Sequence, residues 1–222
     1  TGLDIYKSLL AIQHRGQDGA GIFWSHESDS KMIKDAGLIN QVFNIDQINK
    51  MRGSLFLAHN RYKTNKIKDS YQPLTYECSS FNIGVCHNGN ITNVNHIQNL
   101  LKNRYFIRFG SEERSDSDIL TQYIFEFLKV CTKHKPLSFE IIIRLSDELH
   151  KNVEGSFCLI IGIPSFGMVA IRDKHGIRPL SFGMNEQNDY LVSSETCSFN
   201  HTDFNYVNDI QPGETIYFTK FE

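Results

Sequence analysis

"GVCHNGNITN", residues 84–93, carries an apolar lead-in to Cys86 and His87 and then a polar Asn-Gly-Asn segment. Thr92 or Asn93 just beyond suits the N-cap of a helix. Two chemistries compete for this stretch. Cys86 beside His87 has the residue types of a thiol nucleophile and its base. The alternative rests on Asn88 and Gly89. Asn88 offers a side-chain amide, and Gly89 offers a backbone N–H that a ligand can approach closely because no Cβ intervenes. Two such donors aimed at one point form an oxyanion hole. A plain Asn-Gly turn accounts for the same letters, and spacing alone leaves turn and oxyanion site open. A thiol ending a buried strand, with nothing nearby to lower its pKa, is ordinary packing, so Cys86 is the weaker choice.

Outward from there, strands and helices alternate in blocks. "LDIYKSLLAIQHRG" has the apolar spacing of a short helix ending at Gly16. "AGIFW", "KMIKDAG" and "SLFLAHNRY" read as strands, with a short helix near "DQINKMRG". Periodic Leu, Ile and Phe predict helices over 93–104, 116–130 and 138–151. From Gly155 onward the chain is strand-rich, broken by Gly, Pro and Asn turns. Many strands around a central block of helices imply an α+β layered domain spanning 1–222, without repeats or linkers.

Composition narrows the partners. The 222 residues are 40% hydrophobic with a formal charge of −2, so no charge excess favours nucleic acid or a membrane surface. No apolar run has the length of a membrane span, and no signal-peptide pattern is visible. Five dispersed cysteines without a C-x-x-C pair read as reduced thiols of a cytoplasmic protein. The nine histidines show no metal-ligand spacing.

Three further clusters concentrate polar chemistry. "QHRGQDGAGI" (13–22) sets Arg15, a planar five-donor fork, among glycines, although a helix end and turn would look the same. "LAHNRYKTN" (57–65) ends a strand in donors, and its Arg61 could grip a carboxylate or pair on the surface. In "SEERSDSDIL" Ser115 reads as an N-cap with Asp118 completing a capping box. Asp116 falls in the first helical turn, where the helix dipole favours an anion, and its carboxylate could also receive an ammonium.

Together these segments resemble the glutaminase domain of class II glutamine amidotransferases, N-terminal-nucleophile hydrolases of four-layer αββα fold. The similarity is fullest to the branch that uses phosphoribosylpyrophosphate to open purine synthesis. "IQHRGQDGAGI" is similar to that branch's "LQHRGQ-[DE]-x-AGI", and "CHNGNITN" to its "AHNGNLTN". "SDSD", "IRDKHGIRPL" (171–180), "SSETCSF" (193–199) and "PGE" (212–214) follow in the family's order across nearly the whole chain. Glucosamine-6-phosphate synthases and asparagine synthetases differ at the first motif and normally lack "HGIRPL".

The resemblance implies roles residue by residue. Arg61 would hold the α-carboxylate of glutamine and Asp116 its α-ammonium. Asn88 and Gly89 would stabilise the oxyanion, with Tyr62, Thr64, Arg15 and His87 supporting the pocket. No cofactor is implied for this domain. Magnesium would serve a C-terminal phosphoribosyltransferase domain, and no iron–sulfur ligand set is visible. A homo-oligomer, dimer or tetramer, is implied as well.

One departure matters chemically. The family's nucleophile is a cysteine at position one whose own α-amine is the base, whereas Thr1 stands here. Only twelve residues separate Thr1 from His14, too few for the strand that carries the nucleophile. The expectation is a cysteine upstream of Thr1, on a segment of roughly a dozen residues. Lys63, Asn65 and Lys66 also depart from the family's pattern beside Thr64. Two alternatives remain: a glutaminase of the glucosamine-6-phosphate synthase type, and a non-catalytic glutamine-binding module.

Overall fold

The computed structural model describes residues 1–26, 29–62, 70–164 and 166–219. Its centre is a five-stranded antiparallel sheet in the order β11-β7-β6-β5-β4. These strands are β4 (Leu74–Glu77), β5 (Asn82–Ile91), β6 (Gly155–Ile163), β7 (Gly167–Arg172) and β11 (Thr215–Thr219). β5 and β6 are buried along most of their length because both faces of the sheet are covered. That double burial explains why they read as unbroken apolar runs without a two-residue alternation.

Helices cover one face. α4 (Val94–Tyr105), α5 (Asp116–Cys131) and α6 (Phe139–Asn152) pack on Ile83, Val85, Phe157, Leu159 and Ile161. α6 is amphipathic, with Ile141, Ile142, Leu145 and Leu149 buried. α5 buries every residue from Tyr123 to Leu128, consistent with its place between the sheet and its neighbours. Ser115 caps α5 by accepting from the Asp118 N–H. The expected reciprocal half of a capping box is not made, because the Asp118 carboxylate instead takes Arg114 and the Tyr76 hydroxyl.

Two smaller sheets face the opposite side. One is β2-β1-β3, from β1 (Gly19–His26), β2 (Asp29–Ala36) and β3 (Leu55–Arg61); the other is β10-β8-β9, from β8 (Ser181–Met184), β9 (Tyr190–Ser193) and β10 (Asn205–Asp209). Phe23, Leu57 and Cys86 join the first to the central sheet, and Leu180, Phe182 and Val192 join the second through Cys158, Ala170 and Phe218. The outermost layer is α1 (Gly2–Ala11), α2 (Ile39–Val42) and α3 (Ile45–Lys50), whose Leu9, Ile39 and Ile48 meet Ala20 and Ile22 of β1. The order is helix, sheet, sheet, helix: the expected α+β, αββα sandwich.

Between the two smaller sheets runs a slot of about 660 Å³. β3 and β9 are its walls, and both are edge strands of their sheets. Cys86, Ile160 and Met168 of the central sheet line its floor, and Ile5, Ser8 and Leu9 of α1 line the opposite side.

Candidate active site

The strand β5 decides the geometry. The Asn-Gly-Asn segment, for which the letters left a plain turn open, is strand, with Asn88 opposite Cys158 and Gly89 opposite Phe157 on β6. The Asn90 N–H donates to the Ser156 hydroxyl and the Thr92 N–H to the Glu154 carbonyl, so even-numbered amides face β6. By the alternation of a strand, the amides of His87, Gly89 and Ile91 face the other way, past the end of β4. There the His87 N–H donates to Gln72 Oε1 at 2.6 Å and the Ile91 N–H to Asp116 Oδ2 at 3.1 Å. The Gly89 N–H lies between these two. A Cβ at position 89 would come 2.0 Å from the Ser156 carbonyl oxygen, so glycine is what lets the strands close here.

Asp116 opens α5 and is held on both oxygens. Oδ1 accepts from the Ser117 N–H at 2.8 Å, and Oδ2 accepts from Ile91. Arg61 ends β3, buried, with Asp116 among the charges that act on it. Burial pulls its guanidinium below the ordinary range, while Tyr71, Asp116 and Asp18 oppose that. An arginine retains its charge under such a load. A buried cation and a carboxylate near enough to act on it thus suit the two ends of an amino-acid zwitterion.

Arg15 sits in the single helical turn Gln13–Arg15 that follows α1, so the helix expected to end at Gly16 stops earlier. The Asn60 side chain ties that region to β3 by donating to the carbonyls of Leu9 and Ile12. Arg15 donates to Glu195 Oε1 at 2.5 Å, and His14 pairs with Glu195 Oε2 at 2.9 Å. The Arg15 hydrogen bond, ahead of burial and the His14 bond, holds the Glu195 carboxyl below its usual range. Glu195, inside "SSETCSF", was missed as a site-supporting residue, and only its place in that motif could have flagged it. Gln72 was missed as well.

Cys86 behaves as packing. Its thiol donates to the Ala58 carbonyl at 3.5 Å, and burial pushes its pKa up, against the thiolate a nucleophile needs. His87 is buried with Nδ1 2.8 Å from the Ser117 hydroxyl, so it supports the strand beside Asp116 rather than activating Cys86. Thr1 is exposed and caps α1, its hydroxyl donating to the Asp4 carboxylate at 2.6 Å. It lies a helix length, about 15 Å, from the Asn60 end of β3. Tyr62 is 69% exposed just past β3. Thr64, with Lys63, Asn65 and Lys66, lies outside the described residues.

His59 gives a testable pH response. Its Nδ1 is sealed from solvent with no partner among the described residues, although part of the ring remains exposed. Burial, then His87 and Arg61, press its pKa down from 6.5 to about 3. Below pH 6.5 the unfolded chain therefore takes up a proton that the folded chain refuses. Its stabilising contribution is whole above 6.5 and is lost as pH falls toward 3. The expected slope is about 1.4 kcal/mol per pH unit in that window. Urea midpoints from pH 7 to 4.5 should fall, and the His59→Gln variant should flatten that fall. An unchanged slope in the variant would remove His59 from the account.

Residues 59–201 match the glutamine amidotransferase domain family, and the chain belongs to it. Its relatives include amidophosphoribosyltransferases. The one from Pasteurella multocida is 34% identical over 221 residues, covering 97% of this chain and 43% of that protein. The Escherichia coli enzyme is 32% identical with the same coverage. The chain thus spans less than half the length of these relatives. A solved structure described as the allosteric regulatory enzyme of purine biosynthesis superposes at TM-score 0.81 and 28% identity, over 99% of this chain and 45% of that one. A glutamine phosphoribosylpyrophosphate amidotransferase from B. subtilis, complexed with ADP and GMP, gives 0.79 at 28% with the same coverage.

Proposed function

We propose that residues 1–222 are the glutaminase unit of an amidophosphoribosyltransferase-type enzyme, releasing glutamate and ammonia from glutamine. The observation that carries this reading is the stretch of β5 past the end of the β4 ladder, where the Gly89 N–H lies between Gln72-bound His87 and Asp116-bound Ile91. Arg61 takes the substrate α-carboxylate and Asp116 its α-ammonium. The carboxamide carbon then lies by Asn88 and Gly89, with the Asn88 amide and the Gly89 N–H as oxyanion donors, together worth several kcal/mol of barrier at about 2.7–4 kcal/mol each. Arg15 and His87 hold neighbouring segments, and Tyr62 and Thr64 belong to the substrate side.

The nucleophile in this reading is a cysteine on a strand from outside residues 1–222. The slot supports it: the facing edges of β3 and β9 offer unpaired backbone groups to a strand laid between them. Such a strand would merge the two smaller sheets into one. The α-amine of its leading cysteine, with a pKa of about 8, takes the thiol proton. The thiolate attacks the carboxamide carbon. The cysteine's α-ammonium gives its proton to the leaving nitrogen as the tetrahedral oxyanion collapses with loss of ammonia, and water hydrolyses the thioester to glutamate and the free thiol.

The length of the relatives and their names support an acceptor phosphoribosyltransferase domain that turns the ammonia into phosphoribosylamine, with magnesium serving there. A dimeric or tetrameric cytoplasmic enzyme fits the same reading. Among the described residues no helix is long and apolar enough to cross a membrane.

The test is intact-mass analysis and peptide mapping of the full-length enzyme after a glutamine-analogue electrophile. One adduct is expected, on a cysteine outside residues 1–222, blocked by glutamine. An adduct on Cys86 in its place overturns the assignment.

A further inference from the structure

We propose that Gln72 is a positioning residue for the oxyanion donors, its carboxamide acting as a stand-in for a missing backbone pair. The proposal rests on the reading above that Asn88 and Gly89 hold the oxyanion. β4 pairs with β5 from Glu77 opposite Asn82 to Leu74 opposite Val85, and there the backbone ladder ends. Continuing that register by two residues sets position 72 opposite His87. At that point the side chain of Gln72 makes both bonds that a backbone partner would have made. Its Nε2 donates to the His87 carbonyl at 3.1 Å, and its Oε1 accepts the His87 N–H at 2.6 Å.

The substitution has a geometric consequence. A backbone partner would carry the β4 ladder onward along β5, toward Gly89. A side-chain carboxamide ends at its own two bonds and leaves the next outward-facing amide, that of Gly89, for another acceptor. Gln72 thus anchors β5 one residue before Asn88 and stops short of covering Gly89.

Three other features hold Gln72 in place. Lys34 Nζ donates to the carbonyls of Tyr71 at 3.0 Å and Pro73 at 3.1 Å, gripping the backbone on either side of it. Gly21 lets that backbone cross β1, since a Cβ there would meet the Gln72 carbonyl oxygen at 2.1 Å. Gln72 itself is 4% exposed, and its Nε2 also reaches the Ser117 hydroxyl at 3.4 Å. Ser117 in turn bonds His87 Nδ1 and neighbours Asp116, so one buried network joins the oxyanion strand to the helix that carries Asp116.

Positioning can be separated from general support because oxyanion donors act on the transition state more than on bound substrate. In the full-length enzyme, Gln72→Met keeps the side-chain length and removes both bonds. We expect kcat for glutamine hydrolysis to fall by about 10²-fold, the scale of a small misplacement or of one lost donor, with KM within about threefold. Inhibition by glutamate γ-semialdehyde, whose adduct with the thiol is tetrahedral, should weaken by a similar factor. Inhibition by glutamate should stay within about threefold. Gln72→Glu, whose protonated carboxyl offers one donor and one acceptor at the same place, is expected to recover part of kcat as pH falls, relative to wild type at each pH. Parallel weakening of aldehyde and glutamate, or no change in either, overturns the proposal. Asn88→Ala is run beside it. If Asn88→Ala is impaired and Gln72→Met is normal, only the positioning role fails; if Asn88→Ala is normal, the oxyanion reading itself has failed.

Discussion

Asp116→Asn in the full-length enzyme is expected to raise KM for glutamine by about two to three orders of magnitude while kcat changes little. The carboxylate accepts one N–H on each oxygen, from Ser117 and from Ile91, and both donors come from well-buried main chain. An asparagine of the same size can satisfy only one of them. Its amide nitrogen meets the other donor head on, and the negative charge that would receive the α-ammonium is gone. Removing one partner of a hydrogen-bonded charge pair costs about 2–5 kcal/mol. The α-ammonium is remote from the carboxamide and is held alike in the ground and transition states. The loss therefore belongs in KM. Steady-state glutaminase kinetics check it. A KM within threefold of wild type would mean that Asp116 serves α5 alone, where a first-turn carboxylate contributes about 0.3–1 kcal/mol to helix stability.

This case also shows how far the sequence was legible. Asp116 could be placed in the first turn of a helix from Ser115 and the apolar period that follows, and α5 begins there. The long helices and central strands were similarly readable, because burial on one or two faces writes a period into the letters. β10 was not, since all five of its residues are exposed and no face selects apolar side chains. β4 is only four residues long and carries too little alternation to be seen. The turn that the Asn-Gly segment left open reflects a local habit of those two residues. Pairing with β6 overrides that habit, and no local pattern encodes a partner strand some seventy residues away.

The site divides in the same way. Arg61, Asn88, Gly89 and Asp116 stand out in the sequence as candidates because each carries a chemistry that its residue type advertises. Gln72 and Glu195 do not, because their work is to bond other groups: the His87 main chain in one case, Arg15 and His14 in the other. A glutamine that imitates a peptide group is indistinguishable in sequence from one on a loop. It becomes recognisable only when the register of β4 against β5 is known.

The second large effect is expected from Gly89→Ala, and it should strike folding and catalysis together. A Cβ at 89 would lie 2.0 Å from the Ser156 carbonyl oxygen and 2.8 Å from His87 Nε2. The first contact is with main chain in the middle of the central sheet, so it cannot be relieved by a side-chain rotation. β5 and β6 must part by about an ångström, since real Cβ contacts essentially never fall under 3.0 Å. Overpacking of this kind costs about 1–3 kcal/mol or more. Displacing the Gly89 N–H by a similar distance should lower kcat by at least about 10²-fold. A strain that merely loosened the fold would lower the urea midpoint and leave the kcat of the folded fraction intact. The two are separated by measuring kcat per titrated active cysteine, well below the unfolding transition. A variant with wild-type kcat per active site would show that the Gly89 amide is not an oxyanion donor, whatever its effect on stability. If kcat falls while glutamate still binds normally, then glycine at 89 serves two needs at once: closure of the β5–β6 ladder, and an amide turned toward the reacting carbonyl.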